Sequence, residues 1–470
     1  MGMSRFKTML RAGGLVVCIA FGLSAPARAD NLADALIGAY NTSGLLEQNR
    51  ALLRAADEDV ASSLAALRPV VDYVIGVSRS LSETRTGPIV INNQTSALSA
   101  SLSASWLLWD NGASPLRTQA AKETVLATRA LLRSVEQQVL LRAVRAYMNV
   151  LRETEFVSLR QNNVRVLTEE LRATRDRFEV GEVTRTDVAL AESRLAEARS
   201  NLALAEGNLV NAREEYLAAV GRLPTRLQPP PRLPARPASV DEAKAVAMRT
   251  HPDIQQAQHQ VAAAELGVLA TEAGMGPALR LQGQIGTVET NNATGDSNSS
   301  SLSLNFSQRI YQGGGLASGL RRAMAQRDAA RYALLNVQEA IAQDVASALV
   351  RFQVAQATIE ANDRRIAAAQ VAFRGVREEA ALGARTTLDV LDAEQELLDA
   401  QTARIAAQTE LYVASYQILA AQGLLTAENL RLAVQIYDPA AYFNQVRNAP
   451  AYRSQQGQQL DKVLRKLGRE

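Results

Sequence analysis

The sequence predicts a mainly α fold with a small membrane β part: long antiparallel helical hairpins plus four strands per protomer. Three observations predict it. The chain is written twice, with matching motifs 202 residues apart. Each copy holds a run of more than sixty residues with almost no helix breaker. Each copy also holds short segments in which serine and apolar residues alternate.

The first residues stand apart from this plan. Arg5, Lys7 and Arg11 precede an apolar run from Ala12 to Leu23, and Ala27-Arg28-Ala29 supplies a small-residue cleavage signal. Residues 1–29 therefore read as a secretory signal peptide. The apolar run falls short of the ~20 residues that cross a bilayer as a helix. The whole chain has 51 basic and 48 acidic residues; removing Arg5, Lys7, Arg11 and Arg28 leaves 47 against 48, a net charge of −1. The basic pI thus belongs largely to the leader, and basic residues elsewhere interleave with acids, which argues against a nucleic-acid partner. Cys18 is the only cysteine. With it gone, neither a disulfide nor a thiolate metal site remains.

The repeat fixes the organisation. GEVTRTDVALAE from Gly181 matches GARTTLDVLDAE from Gly383, and the same offset pairs Trp109 with Tyr311, Gly112 with Gly314 and Gly221 with Gly423. Upstream the offset is 208, pairing Gly44 with Pro252 and Pro69 with Pro277. The six-residue difference falls between Pro69 and Trp109, and is expected as a longer loop in the first copy. Repeats of this kind set the architecture before anything else. The expected division is 30–222 for the first repeat (helix, strand hairpin, long helix, returning helix), 223–238 for a linker, 239–423 for the second repeat, and 424–470 for a C-terminal tail, basic and partly disordered. The linker holds six of the 14 prolines between Leu223 and Pro237. Fixed φ angles and missing N–H donors make such a run an extended connector.

Helices come from what is absent. Leu116 to Val180 contains no Gly or Pro, and at 1.5 Å per residue those 65 residues would extend about 98 Å. The second copy repeats this from Leu320 to Leu382, broken only by Gly375. Returning helices follow at 184–220 and 386–422. Val188, Leu195, Leu202, Leu209 and Tyr216 recur every seven residues, with Ala191, Ala198, Ala205, Ala212 and Ala219 offset by three. The second copy repeats the alanine row and puts Arg404 in the large row. A seven-residue period with one large and one small position is a coiled-coil seam.

Strands come from period two. Ser99, Ser101, Ser103 and Ser105 oppose Leu98, Ala100, Leu102, Ala104 and Trp106; Ser301, Ser303 and Asn305 oppose Leu302, Leu304 and Phe306. Val71, Tyr73, Ile75 and Val77 alternate similarly, as does 279–287 more weakly. Four strands of about ten residues suit a transmembrane barrel, with Tyr73, Trp106, Trp109 and Tyr311 as its aromatic girdle. Four strands cannot close, and lipid tolerates no open edge. Three copies supply twelve, so closure predicts a homotrimer.

Catalytic chemistry finds no support. His251 and His259 are the only histidines, eight apart on an expected helix with no acidic or thiol cluster, and read as surface residues without a metal. The glycines of 311–319 follow a strand and open a helix, yet no Gly-Lys-Ser/Thr ends the run, so they form a hinge and no phosphate loop. No cofactor and no enzyme activity are expected.

With GEVTRTDV, GARTTLDVLDAEQEL and the tail residues Leu425–Leu432 and Tyr437-Asp438-Pro439, the mature chain resembles the TolC family of outer-membrane efflux and type I secretion channel proteins. The resemblance implies a trimer in which a twelve-stranded β-barrel in the outer membrane continues into an α-barrel across the periplasm. It implies docking with a periplasmic adaptor and an inner-membrane transporter, in contact with outer-membrane lipid, as a passive exit duct for drugs or secreted proteins. Asp389 and Asp392, three apart on one helix face, then become a cation-selective ring at the constriction. Arg385 and Asp187 match positions that hold the entrance shut. Ala380 departs from the family, where one member places an aromatic. The alternative reading is a non-conducting periplasmic coiled-coil adaptor or envelope tether.

Overall fold

A computed structural model describes residues 30–291, 295–451 and 453–467; the signal-peptide expectation lies outside them. The first copy runs α1 (Leu32–Thr42), α2 (Gly44–Ala65), β1 (Val70–Thr86), β2 (Ile89–Trp109), α3 (Ala113–Glu179) and α4 (Arg185–Val220). The second runs α5 (Val240–Thr250), α6 (Pro252–Ala273), β3 (Ala278–Thr290), β4 (Ser297–Ser307), α7 (Gly315–Ala381) and α8 (Thr387–Ala421), followed by α9 (Ala441–Val446) and α10 (Gln455–Leu467). Helix lengths match copy to copy: α1 and α5 have 11 residues, α2 and α6 have 22, and α3 and α7 have 67. At the α-helical rise, 67 residues reach about 100 Å.

Three details differ from the sequence reading. The single helix expected before each hairpin is two, because Ser43 and His251 take extended conformations and each caps the helix that follows. His251 is therefore a buried cap (9% exposed), not a surface helical residue sharing a face with His259. The six extra residues of the first copy lie in strands, not in a loop. β1 and β2 have 17 and 21 residues against 13 and 11 for β3 and β4. Their turn is only Gly87-Pro88, with Gly87 at φ +62°. Pairing the extra backbone in a ladder satisfies donors that a loop would leave to water.

The four strands form one antiparallel sheet in the order β1-β2-β3-β4. Register places Tyr73 opposite Leu102, Leu102 opposite Ile285, and Leu281 opposite both Trp106 and Leu304. Directly opposed residues share a face, so the apolar rows of all four strands merge into one surface. The serine rows merge on the other, where Ser103 faces both Asp72 and Gln284.

The heptad seam packs as its spacing requires. Leu195, Ala198, Ala205, Leu209, Tyr216 and Ala219 are buried in α4, and Val390, Ala400, Ala407, Ala414 and Ile418 in α8. Arg404 stays in the seam by pairing with Asp363 of α7. The main core gathers where α1, α2, α3 and α4 meet the segment after α8. Tyr147 and Tyr216 are fully buried there with ring centroids 6.5 Å apart. The proline linker is stitched to this core: the Tyr147 hydroxyl donates to the Gln228 carbonyl (2.6 Å), and the Gln228 N–H to the Asp30 carbonyl (2.9 Å).

Candidate functional site

Both helical hairpins turn on the same residues, G-x-x-T-x-x-D. Gly181 and Gly383 adopt φ +81° and +77°, the left-handed conformation that ends a helix most cheaply at glycine. The next N–H closes each turn: Glu182 donates to the Arg177 carbonyl and Ala384 to that of Glu379, both at 2.9 Å. Thr184 and Thr386 then start the returning helices. Asp187 Oδ2 accepts from the Thr184 N–H (2.8 Å) and hydroxyl (2.7 Å), while the Asp187 N–H donates back to the threonine oxygen (3.3 Å). Asp389 and Thr386 repeat this at 2.9, 2.8 and 3.2 Å. Each pair is a capping box. The repeated sequence motif is therefore a turn with two helix ends satisfied. The threonine hydrogen bonds also hold both carboxyl groups below the ordinary carboxylate range, so they stay charged into acid.

The structure places the four expected entrance residues at these turns and gives each a partner within the chain. Arg385 donates from Nε to Glu379 Oε2 (2.9 Å) across its own turn. Asp392 accepts from Arg194 of α4 at 3.1 Å, which ties one hairpin to the other. Asp389 and Asp187 cap their own helices. Among the described residues no ion pair joins Arg385 to Asp187.

Several residues joining the hairpins escaped the sequence reading. Arg177 pairs with Glu170 (3.2 Å) and reaches the carbonyl of Ala380 (3.5 Å), and Ala380 is itself buried. Asn163 of α3 hydrogen-bonds Glu394 of α8 in a buried contact; burial raises the Glu394 carboxyl while that bond lowers it. Leu391 inserts among Leu167, Leu171 and Leu195. A signal existed. At the 202 offset Arg177 aligns with Glu379 and Arg194 with Glu396. Charge reverses between copies where the hairpins meet differently: Arg177 and Arg194 reach across to the other hairpin, whereas Glu379 and Glu396 pair with Arg385 and Arg365 of their own.

At the other end lies the apolar band. Among the described residues no helix is long and apolar enough to cross a membrane, so any crossing rests on the strands. Along β2 the band runs from Leu98 to Trp109, about 36 Å of strand, or about 27 Å in height at a ~40° tilt. That matches the ~25 Å apolar belt of outer-membrane barrels. A bulge between Leu107 and Trp109 brings Trp109 opposite Leu279, and so onto the face of Trp106. Tyr73, on β1, shares that face. Tyr311 follows β4 and is 84% exposed. All four aromatics sit at the helix-side end of the sheet. Beyond Val77 and Leu98 the same face turns mainly polar, with Arg79 opposite Ser96 and Glu83 opposite Asn92, while Leu81 and Val90 are its apolar residues.

A family model described as "outer membrane efflux protein" matches residues 39–222 and 246–424. The chain belongs to the outer membrane efflux protein family. It is 34% identical over 424 residues to the outer membrane efflux protein BepC of Brucella suis biovar 1, covering 90% of this chain and 91% of that one. It is 24% identical to the alkaline protease secretion protein AprF of Pseudomonas aeruginosa, over 78% and 79% of the two chains. The crystal structure of the Campylobacter jejuni CmeC outer membrane channel superposes with a TM-score of 0.74 at 17% identity, covering 90% of each chain. The chain is thus one protomer of a trimeric outer-membrane channel with helical-barrel and β-barrel parts. It extends into the periplasm and serves as exit duct of a tripartite efflux or secretion system, working with an adaptor and an inner-membrane transporter. The adaptor or tether alternative is overturned by this membership.

Proposed function

We propose that the channel is passive, without enzyme activity, and that its selectivity and closure reside at the two hairpin turns. The observation that carries this is the shared turn, which sets Asp389 in the first turn of α8 and Asp392 one helical turn beyond it. In a trimer the two positions supply six carboxylates around the mouth, and rings of acidic side chains favour cations. Arg385 and Asp187 are the entrance-gating charges, each presented to the neighbouring protomer from a turn rigidified by its cap. Tyr73, Trp106, Trp109 and Tyr311 form the periplasm-side aromatic girdle against outer-membrane lipid. The chain divides at 222 and 238 into two repeats and a linker, with 424–470 as a tail. The resemblance in name to protease secretion and efflux proteins supports both cargo classes, with the inner-membrane transporter choosing between them. Nucleic acid is not a partner.

Bilayer recording tests the assignment. Asp389→Asn with Asp392→Asn is expected to lower the cation-over-anion permeability ratio at least roughly twofold. Thr386→Ala, which loses the cap and keeps the charge, is expected to leave the ratio near wild type. If the threonine variant alone reproduces the loss, the aspartates act as caps and the ring assignment fails.

A further inference from the structure

The C-terminal segment follows α2 to the foot of the β-sheet. Tyr442 of α9 donates its hydroxyl to Glu58 of α2 at 2.6 Å. Farther along, Arg68 donates from Nη1 to the Ala449 carbonyl at 2.8 Å and from Nη2 to that of Asn448. Arg68 stands two residues before β1 begins. The carbonyl of Leu67 beside it accepts the indole N–H of Trp106 at 3.0 Å. Residues 448 and 449 thus lie one side chain away from the aromatics at the helix-side edge of the apolar band. From there the chain turns into α10, whose Leu460 packs with Ala61, Tyr442 and Val446, one helical turn before α2 ends.

The contacts of α10 leave its apolar stripe incomplete. Positions 460, 463, 464 and 467 share one helix face by spacing, and the sequence fills all four with leucine or valine. Leu460 is 8% exposed, whereas Val463, one turn on, is 42% exposed. The stripe therefore starts on the protein and leaves it within a turn. Lys462 and Arg465 are exposed on either side of Val463 and form no ion pair among the described residues. From 441 to 467 the sequence sets five basic residues (Arg447, Arg453, Lys462, Arg465, Lys466) against one acid, Asp461. Without the leader the whole chain is near neutral, 47 basic against 48 acidic, so this is a local concentration of positive charge. A helix with an apolar stripe bordered by Lys and Arg suits a bilayer surface, its stripe at the acyl boundary and its cations among anionic headgroups.

We propose that α10 is an interfacial anchor on the periplasm-facing leaflet of the outer membrane. Val463 enters the acyl boundary, and Lys462 and Arg465 meet the phosphates of acidic phospholipids. This placement rests on Tyr73 and Trp106 marking the periplasm-side boundary, as proposed for the girdle. Continuity with the barrel supports it, because Trp106, Leu67, Arg68 and Ala449 form one connected path from the girdle to the C-terminal segment. Each protomer then holds the membrane at a second place, outside its strands.

The test is fluorescence quenching on the full-length trimer in nanodiscs. An environment-sensitive label is attached at Val463→Cys or, separately, at Tyr73→Cys, in a Cys18→Ser background. The nanodiscs carry doxyl-labelled lipid in either phosphatidylcholine or phosphatidylglycerol. Quenching at 463 is expected to be at least about twofold stronger in phosphatidylglycerol. That excess is expected to vanish in Lys462→Glu with Arg465→Glu and, with both cations kept, when NaCl is raised to about 0.5 M. Position 73 is expected to be quenched in both lipids alike. Quenching at 73 with none at 463 overturns the anchor and leaves the girdle standing. Failure of quenching at 73 counts against the girdle, while position 463 alone judges the anchor. Equal quenching at 463 in the two lipids overturns recognition of acidic headgroups, as does an excess that survives both charge reversal and salt. A label at 463 that is shielded from acrylamide yet unquenched by lipid means that protein covers this face, and likewise overturns the anchor.

Discussion

Asp57 is the residue whose position is hardest to reconcile with its chemistry. It is 0% exposed in α2, and among the described residues neither carboxylate oxygen finds a hydrogen-bond donor. Burial pushes its carboxyl up to about 6, against the pull of Arg129 and with a smaller push from Glu58. The folded chain therefore holds a proton that the unfolded chain releases near 3.8. Stability falls as pH rises from about 4 to about 6, and the loss is complete above that. Asp57→Asn keeps the shape and removes the charge. It is expected to stabilise the trimer by on the order of 2 kcal/mol at pH 8 and by little at pH 4. Unfolding midpoints at the two pH values check this, and an equal shift at both would rule out charge burial as the cause. At the same scale, Asp187 and Asp389 show how one side chain serves two ends. The cap that orders the turn also keeps the carboxylate ionised.

At the scale of elements, the turns decide how the hairpins end. Gly383 has open space around its Cα, so an added methyl meets no neighbour and the penalty is the backbone's alone. Gly383→Ala is expected to cost roughly 1–2 kcal/mol locally, and Thr386→Ala about 1 kcal/mol. Hydrogen exchange of amides 382–390 should quicken about tenfold in either variant while the α7–α8 seam near Ala400 keeps its protection. Uniform acceleration along both helices would mean that the turn is not an independent unit. The seam itself shows what periodicity secures: alanine every seven residues lets α7 and α8 approach closely, and Ala400 and Ala414 are fully buried.

At the scale of the whole molecule, one chain is visibly incomplete. β1 and β4 end the sheet with unpaired edges, and α7 leaves Val350, Val354 and Val371 more than half exposed. Closing the barrel with two further protomers satisfies both. The outer part of the β1–β2 ribbon extends past β3. β2 loses β3 after Ala97, where Asn291 caps the ladder through Ser96. Residues 78–96 then stand as a two-stranded ribbon above the apolar band. Replacing residues 81–94 by Asn-Gly is expected to leave a heat-resistant trimer with wild-type conductance, read by gel mobility and bilayer recording. Loss of the trimer would place the membrane boundary farther out than Val77 and Leu98.

Much of this was legible in the sequence because it is local or periodic. The 202-residue offset, the Gly- and Pro-free runs, the heptad alanines and the serine alternation each follow from backbone geometry, which repeats with fixed period regardless of context. They determined the helices, the strand faces, the turn motif and the doubled plan. Tertiary structure alone decided the rest. That the extra residues of the first copy extend strands, that His251 is a buried cap, that Asp392 pairs with Arg194, and that Asn163 meets Glu394 in a buried contact all depend on groups far apart in the chain. Such contacts are set by how packed surfaces meet in space, and a one-dimensional period carries no record of that distance.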